Sequence, residues 1–184
     1  AALGVSATDR RQTHVGGLDR PGRHRQDHAA AGPDGCPGGA VQDAITHILN
    51  AGEWILGPMD RLTADASHQV LDGVDVEDTV HVIAHHGSVM ACYTLNQHQA
   101  PNESTLTVVC KQGTARFQAH KCRWSWMTEP GGEWNHEPYD VPERDTLFVL
   151  QAQAFLDALE HRAEPACTLA EGIQTLRVNR EILR

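Results

Sequence analysis

Asp43 and His47 are the pair in this sequence whose types and spacing could do chemistry. A carboxylate beside an imidazole is suited to general acid/base work, because histidine titrates near neutrality and the carboxylate favours its protonated form and fixes the ring's orientation. At about 100° per residue, positions four apart lie one helical turn above each other. The same spacing also describes an ordinary solvated helix face with a weak side-chain contact, so D-x-x-x-H alone is a weak motif.

The element that must position them runs from Gly38 to Trp54, GGAVQDAITHILNAGEW. On a helix, Val41, Ala44, Ile45, Ile48 and Leu49 form one apolar stripe that should face a core, with Asp43 and His47 on the other side. Gly38 and Gly39 let the chain enter this helix tightly and bring its backbone close to a neighbour. Gly57 and Pro58 end it.

Beyond the helix the pattern turns to strands. Arg61 to Val70 alternates, and LDGVD supplies a turn. In Glu77 to Leu95 two strands flank His86-Gly87, with Val80, Val82 and Ala84 on one face and His81, Ile83 and His85 on the other. The cluster of His81, His85 and His86 lacks a carboxylate or thiol at ligand spacing, so surface or interface histidines are expected rather than zinc ligands. QHQAPNES is a polar loop, and Thr105 to Cys110 pairs with Thr114 to His120 across Lys111-Gln112-Gly113. The alternating aromatics of Arg123 to Trp126 suit a core, a subunit contact or stacking on a sugar ring. The stretch EPGGEWNHEPYDVPERD reads as a long loop.

Two helices follow. Phe148, Ala152, Phe155, Leu156 and Leu159 make one apolar stripe; Leu169, Ile173, Leu176 and Leu183 are expected to form the buried side of the second, which opens with a Thr168–Glu171 capping box. The order predicts an α+β fold, an open antiparallel-rich sheet with helices on one face. The uncovered face, bearing apolar and aromatic residues, predicts a homodimer or tetramer through it.

Residues 1–37 differ from the rest. They are crowded with Arg, His, Gly, Asp and Pro, show no period and offer few large apolar side chains, so an irregular or disordered leader is expected, followed by one domain over 38–184. This composition is also what GC-rich DNA yields when translated out of frame. His24 and His28 have the spacing of a metal pair only on a helix, which Pro21 and Gly22 oppose; no metal site is expected.

Across all 184 residues the net charge is -9 and the pI about 5.7, which opposes a nucleic-acid surface. No run of about 20 apolar residues suits a membrane span and no secretory leader is evident, so the expected location is the cytoplasm. Cys36, Cys92, Cys110, Cys122 and Cys167 are an odd set without C-x-x-C, and no disulfide is expected.

The segment GGAVQDAITHILNAGEWILG resembles the helix that opens the second domain of the Gfo/Idh/MocA oxidoreductases, relatives of glucose-fructose oxidoreductase and inositol dehydrogenase. VEDTVHVIAHHGSVMACYTLNQHQ, TVVCKQGTARFQ and FLDALEHRAEPACTLAEGIQTLRVNREIL extend the resemblance over roughly Gly38 to Arg184. It implies an acid/base role for Asp43 and His47 beside a sugar or cyclitol hydroxyl, with NAD or NADP taking the hydride; which of the two is the base stays open. It also implies a lysine from an E-K-P motif in a preceding nucleotide-binding domain. Here Lys111 and Lys121 are the only lysines, neither precedes proline, and no G-x-G-x-x-G occurs. The expectation is therefore a truncated fragment, the substrate-binding and oligomerisation domain, inactive and without cofactor when alone. The alternative is a non-catalytic dimerising or small-ligand-binding module.

Overall fold

The computed structural model describes the backbone of residues 2–7 and the whole of residues 39–184. In chain order the elements are β1 (Ala2–Ala7), a π-helical segment (Val41–Ile45) running into α1 (Thr46–Leu56), and β2 (Arg61–Ser67), β3 (Thr79–His86) and β4 (Val89–Asn96). Then come β5 (Ser104–Cys110), β6 (Gly113–Gln118), β7 (Arg123–Met127), β8 (Asn135–Pro138), α2 (Thr146–Leu159) and α3 (Leu169–Ile182). One sheet holds all the described strands in the order β2-β3-β4-β1-β5-β6-β7-β8. The β1–β4 pair is parallel, and the other pairings are antiparallel. The fold is the expected α+β, antiparallel-rich arrangement.

The core lies where the first helix crosses β3 and β4. Val41, Ile45 and Leu49 are fully buried, with Ala44 and Ile48 partly so, against Val80, Val82, Ala84, Tyr93 and Leu95. Burying each of the larger aliphatic side chains stabilises the fold by about 1.5–3 kcal/mol. The alternation of β3 holds, since Ile83 and His81 lie on its exposed face. Gly87 turns the β3–β4 hairpin with φ 59° and Gly113 the β5–β6 hairpin with φ 146°, conformations that favour glycine.

Three expectations need correction. Residues 1–37 were expected to be irregular, yet Ala2–Ala7 form β1 between β4 and β5. These residues precede the Arg- and Pro-rich run, and a strand there pairs both inner edges that β4 and β5 would otherwise leave open. Residues 8–38, with His24, His28 and Cys36, lie outside the described residues. The long loop after β7 contains β8, an edge strand too short to show a period, with Pro138 at its end where one neighbour suffices.

α2 carries its apolar stripe in the open, with Phe148, Phe155, Leu156 and Leu159 all exposed, Phe148 at 68%. A helical stripe in sequence shows that a helix has an apolar face, not that a neighbour in the same chain covers it. The third correction concerns α3. Leu169, Ile173, Leu176 and Leu183 are exposed, and Thr175, Val178, Asn179 and Ile182 face inward instead. Those four are also spaced as a helical stripe, and the two polar ones are buried because they are hydrogen-bonded to α1. The Thr168–Glu171 capping box is present, with Glu171 N–H donating to Thr168 Oγ1 at 3.2 Å and Thr168 N–H to Glu171 Oε2 at 2.6 Å.

Among the described residues the helices pack on the β2–β4 end of the sheet. Register puts Phe117, Trp124 and Trp126 on the same side as Leu106 and Val108, which meet the core, but beyond the reach of α1 and α3. Phe117 stacks on Tyr139 at 5.7 Å and meets Trp124 at 4.7 Å. The opposite face carries exposed Ile83, Met90 and Val109. Among the described residues no helix is long and apolar enough to cross a membrane, and Cys92, Cys110, Cys122 and Cys167 carry free thiols.

Candidate functional site

Asp43 sits in the π-helical segment and His47 in the first turn of α1, both exposed on the side away from the buried stripe. Thr46 N–H reaches back to the Val41 carbonyl, the i to i−5 bond that defines a π turn. Single π turns of this kind recur at functional sites.

The start of this helix is held from outside. Ala40 N–H donates to the Glu77 carbonyl at 2.9 Å and Val41 N–H to Glu77 Oε1 at 3.0 Å. Glu77 thus does the work of an N-cap side chain that the helix itself lacks. A Cβ on residue 39 would collide with the Glu77 carboxyl and push it from its place on Val41 N–H. Gly38 lies outside the described residues. Nothing in the V-E-D sequence before β3 marks Glu77 for this role.

α3 holds the other end. Asn179 Nδ2 donates to Thr46 Oγ1 at 2.9 Å, and Asn50 Nδ2 donates to Thr175 Oγ1 at 3.0 Å. The Thr175 hydroxyl in turn donates to Glu53 Oε2 at 2.9 Å, while Gln174 Nε2 and Met59 N–H donate to Glu53 Oε1. Sequence reading missed these residues, since a polar stripe on a helix ordinarily signals a solvated face.

The histidine cluster separates into three environments. His81 is exposed, and His85 Nε2 meets Arg61 Nη2 at 2.9 Å. His86 is buried between the Gly57 carbonyl, 2.6 Å from Nδ1, and the Tyr93 hydroxyl, 2.8 Å from Nε2. A carbonyl only accepts, so Nδ1 carries a proton; in the neutral ring Nε2 then accepts from the phenol. Burial, followed by the charge of Glu53, pushes the Tyr93 phenol well above its ordinary pKa. Among the described residues no three His, Cys, Asp or Glu side chains are grouped to hold a metal ion.

Asp78 is buried and structural. Burial pushes its carboxyl up, but bonds from Leu71, Val70 and Gln69 N–H and from the Thr79 hydroxyl outweigh it, holding the pKa at about 2. It fastens the β2–β3 connection.

A shallow depression of about 380 Å³ beside the helix start is lined by Gln42, Ser67, His68, Asp75 and Glu77, among others. A second, of about 330 Å³, is bounded by Asp60, Arg61, His85 and Gly87. Neither is lined by Asp43 or His47, which stand on an open face. At the start of the first helix the N–H groups of Ala40 and Val41 are turned to Glu77 and those of Gln42 and Asp43 to the Gly39 carbonyl.

A family model described as the GFO/IDH/MocA C-terminal domain matches residues 12–116. No curated protein sequence matches the chain. The solved WlbA dehydrogenase from Bordetella pertussis, in complex with NADH and UDP-GlcNAcA, aligns with a TM-score of 0.65 and 19% identity over 100% of this chain and 52% of its own. Levoglucosan dehydrogenase in complex with NADH gives a TM-score of 0.73 at 12% identity, over 99% of this chain and 55% of its own. An oxidoreductase domain protein from Kribbella flavida gives 0.71 at 15% identity, over 99% and 55%. At these identities the likeness is one of fold, and the chain spans about half the length of each solved chain.

Proposed function

This chain belongs to the GFO/IDH/MocA C-terminal domain family, and from that premise we propose that it is the substrate-binding and oligomerisation half of an NAD(P)-dependent oxidoreductase acting on a sugar or cyclitol hydroxyl. The observation that carries the reading is the exposure of Asp43 and His47 on one side of a helix held by Glu77 at its start and by Asn179 at the π/α junction. The WlbA and levoglucosan dehydrogenases, whose folds this chain shares, were solved with NADH, and WlbA also with a nucleotide sugar.

In this reading His47 exchanges a proton with the reacting hydroxyl, and Asp43 orients the imidazole or takes the proton itself. NAD(P) would carry the hydride chemistry from a separate nucleotide-binding half. Alone, residues 38–184 would bind no cofactor and turn nothing over. The sheet face bearing Ile83, Met90 and Val109 would join two copies, since apolar sheet faces left open favour association.

A second reading, a non-catalytic dimerising or small-ligand module, draws on the absence of Asp43 and His47 from both depressions. Fusing a nucleotide-binding half upstream and following NADH absorbance over a panel of polyols and sugars separates the two. Turnover with polyols supports the oxidoreductase; a folded, NAD-binding fusion that turns over none of them favours the module.

A further inference from the structure

The seam between α1 and α3 is polar where apolar residues would bury at least as well. Thr46, Asn50 and Glu53 form one stripe of α1, and Thr175 and Asn179, 7% and 6% exposed, face them from α3. Asn179 Oδ1 is buried with no hydrogen-bond partner, a cost that an apolar side chain of similar size would not carry. Stability therefore does not account for the carboxamide.

We propose that Asn179 and Thr175 are positioning residues that set the rotation of the helix carrying Asp43 and His47, an inference that rests on the acid/base role proposed above. Apolar contacts tolerate a small roll of one helix on another, whereas donor–acceptor pairs match at one setting. With a helix radius of about 5 Å including side chains, a roll of about 20° moves a side chain by about 2 Å. That displacement breaks bonds of 2.9–3.0 Å. At a reacting centre, misplacement of about 1 Å costs up to about a hundredfold in rate. The Asn179–Thr46 bond acts at the most sensitive place, because Thr46 closes the π turn that carries Asp43 and directly precedes His47.

The test compares Asn179→Leu/Thr175→Val with Thr175→Ser, which keeps the hydroxyl. In the isolated chain the His47 ring signals are followed by NMR, with exposed His98 as the control. The double variant should stay folded and broaden or split the His47 signals while leaving His98 unchanged, and Thr175→Ser should keep the native pattern. Fused to a nucleotide-binding half, the double variant should lose about tenfold in kcat with KM within about twofold. A folded double variant with native His47 signals and native kcat overturns the proposal. If the double variant does not fold, Thr46→Val removes the α1 acceptor alone and is read in the same way. If His47→Ala leaves turnover intact the acid/base reading fails, while the His47 ring signals still decide whether the seam orients α1.

Discussion

The phenol of Tyr93 occupies the space that a side chain on Gly52 would fill: a Cβ there would collide with the hydroxyl, Cε1 and Cζ. Gly52 thus lets the Tyr93 ring of β4 pack directly against the α1 backbone, and Tyr93 passes the contact on to His86 and the end of α1. Gly52→Ala should lower stability by about 1–3 kcal/mol through overpacking. Tyr93→Phe should cost a similar amount, about 1–3 kcal/mol, by leaving the buried His86 Nε2 unpaired. Urea unfolding at neutral pH measures both, and native stability in either variant would show that this contact is slack.

Asp78 should give the chain an acid-labile joint. Its folded pKa, about 2 against 3.8 for the free group, is depressed, so its contribution is present above pH ~4 and is lost as pH falls through about 2. The shift corresponds to about 2 kcal/mol. Unfolding curves between pH 5 and 2 should lose that much more stability for the native chain than for Asp78→Asn, which should already be weaker at pH 7. Parallel curves would contradict the assignment.

The two stripes of α3 make opposite predictions. Leu176→Ser, at an exposed position, should change stability by less than about 0.5 kcal/mol, and Ile182→Ala by about 2 kcal/mol or more. A reversed order would mean that the leucines, not Thr175, Val178, Asn179 and Ile182, face α1.

These cases also show where the sequence was legible. Val41, Ile45 and Leu49, and the alternating Val80, Val82 and Ala84, announce their burial because an apolar side chain has one favourable destination and its period names the element. Thr175 and Asn179 do not, because a polar side chain is stable in solvent or in the interior according to whether a partner waits there. Glu77 was illegible for the same reason, its partner being a backbone N–H of a residue far away in the chain. The leucines of α3 misled because a period identifies a face without identifying what covers it. Asp43 and His47 could be singled out by type and spacing, and their shared exposure could be foreseen; the polar seam that holds their helix could not.

Glu77 should be the cap of the first helix. Glu77→Ala should cost about 1 kcal/mol, as loss of an N-cap does, and should speed amide exchange at Val41 ahead of the rest of the helix. Gly39→Ala, by pushing the carboxylate off Val41 N–H, should reproduce the exchange effect. Unchanged exchange at Val41 in both variants would mean that the cap does not form in solution.

The central claim is that Asp43 and His47 move the proton of a substrate hydroxyl. The most direct measurement is kcat with NAD(P) for the chain joined to a nucleotide-binding half, comparing the native pair with His47→Ala and Asp43→Asn on the best polyol found. Loss of about a hundredfold or more in kcat for His47→Ala, with the protein folded and still binding cofactor, is the predicted result. Native turnover in both variants would contradict the account and leave the pair as a solvated helix face.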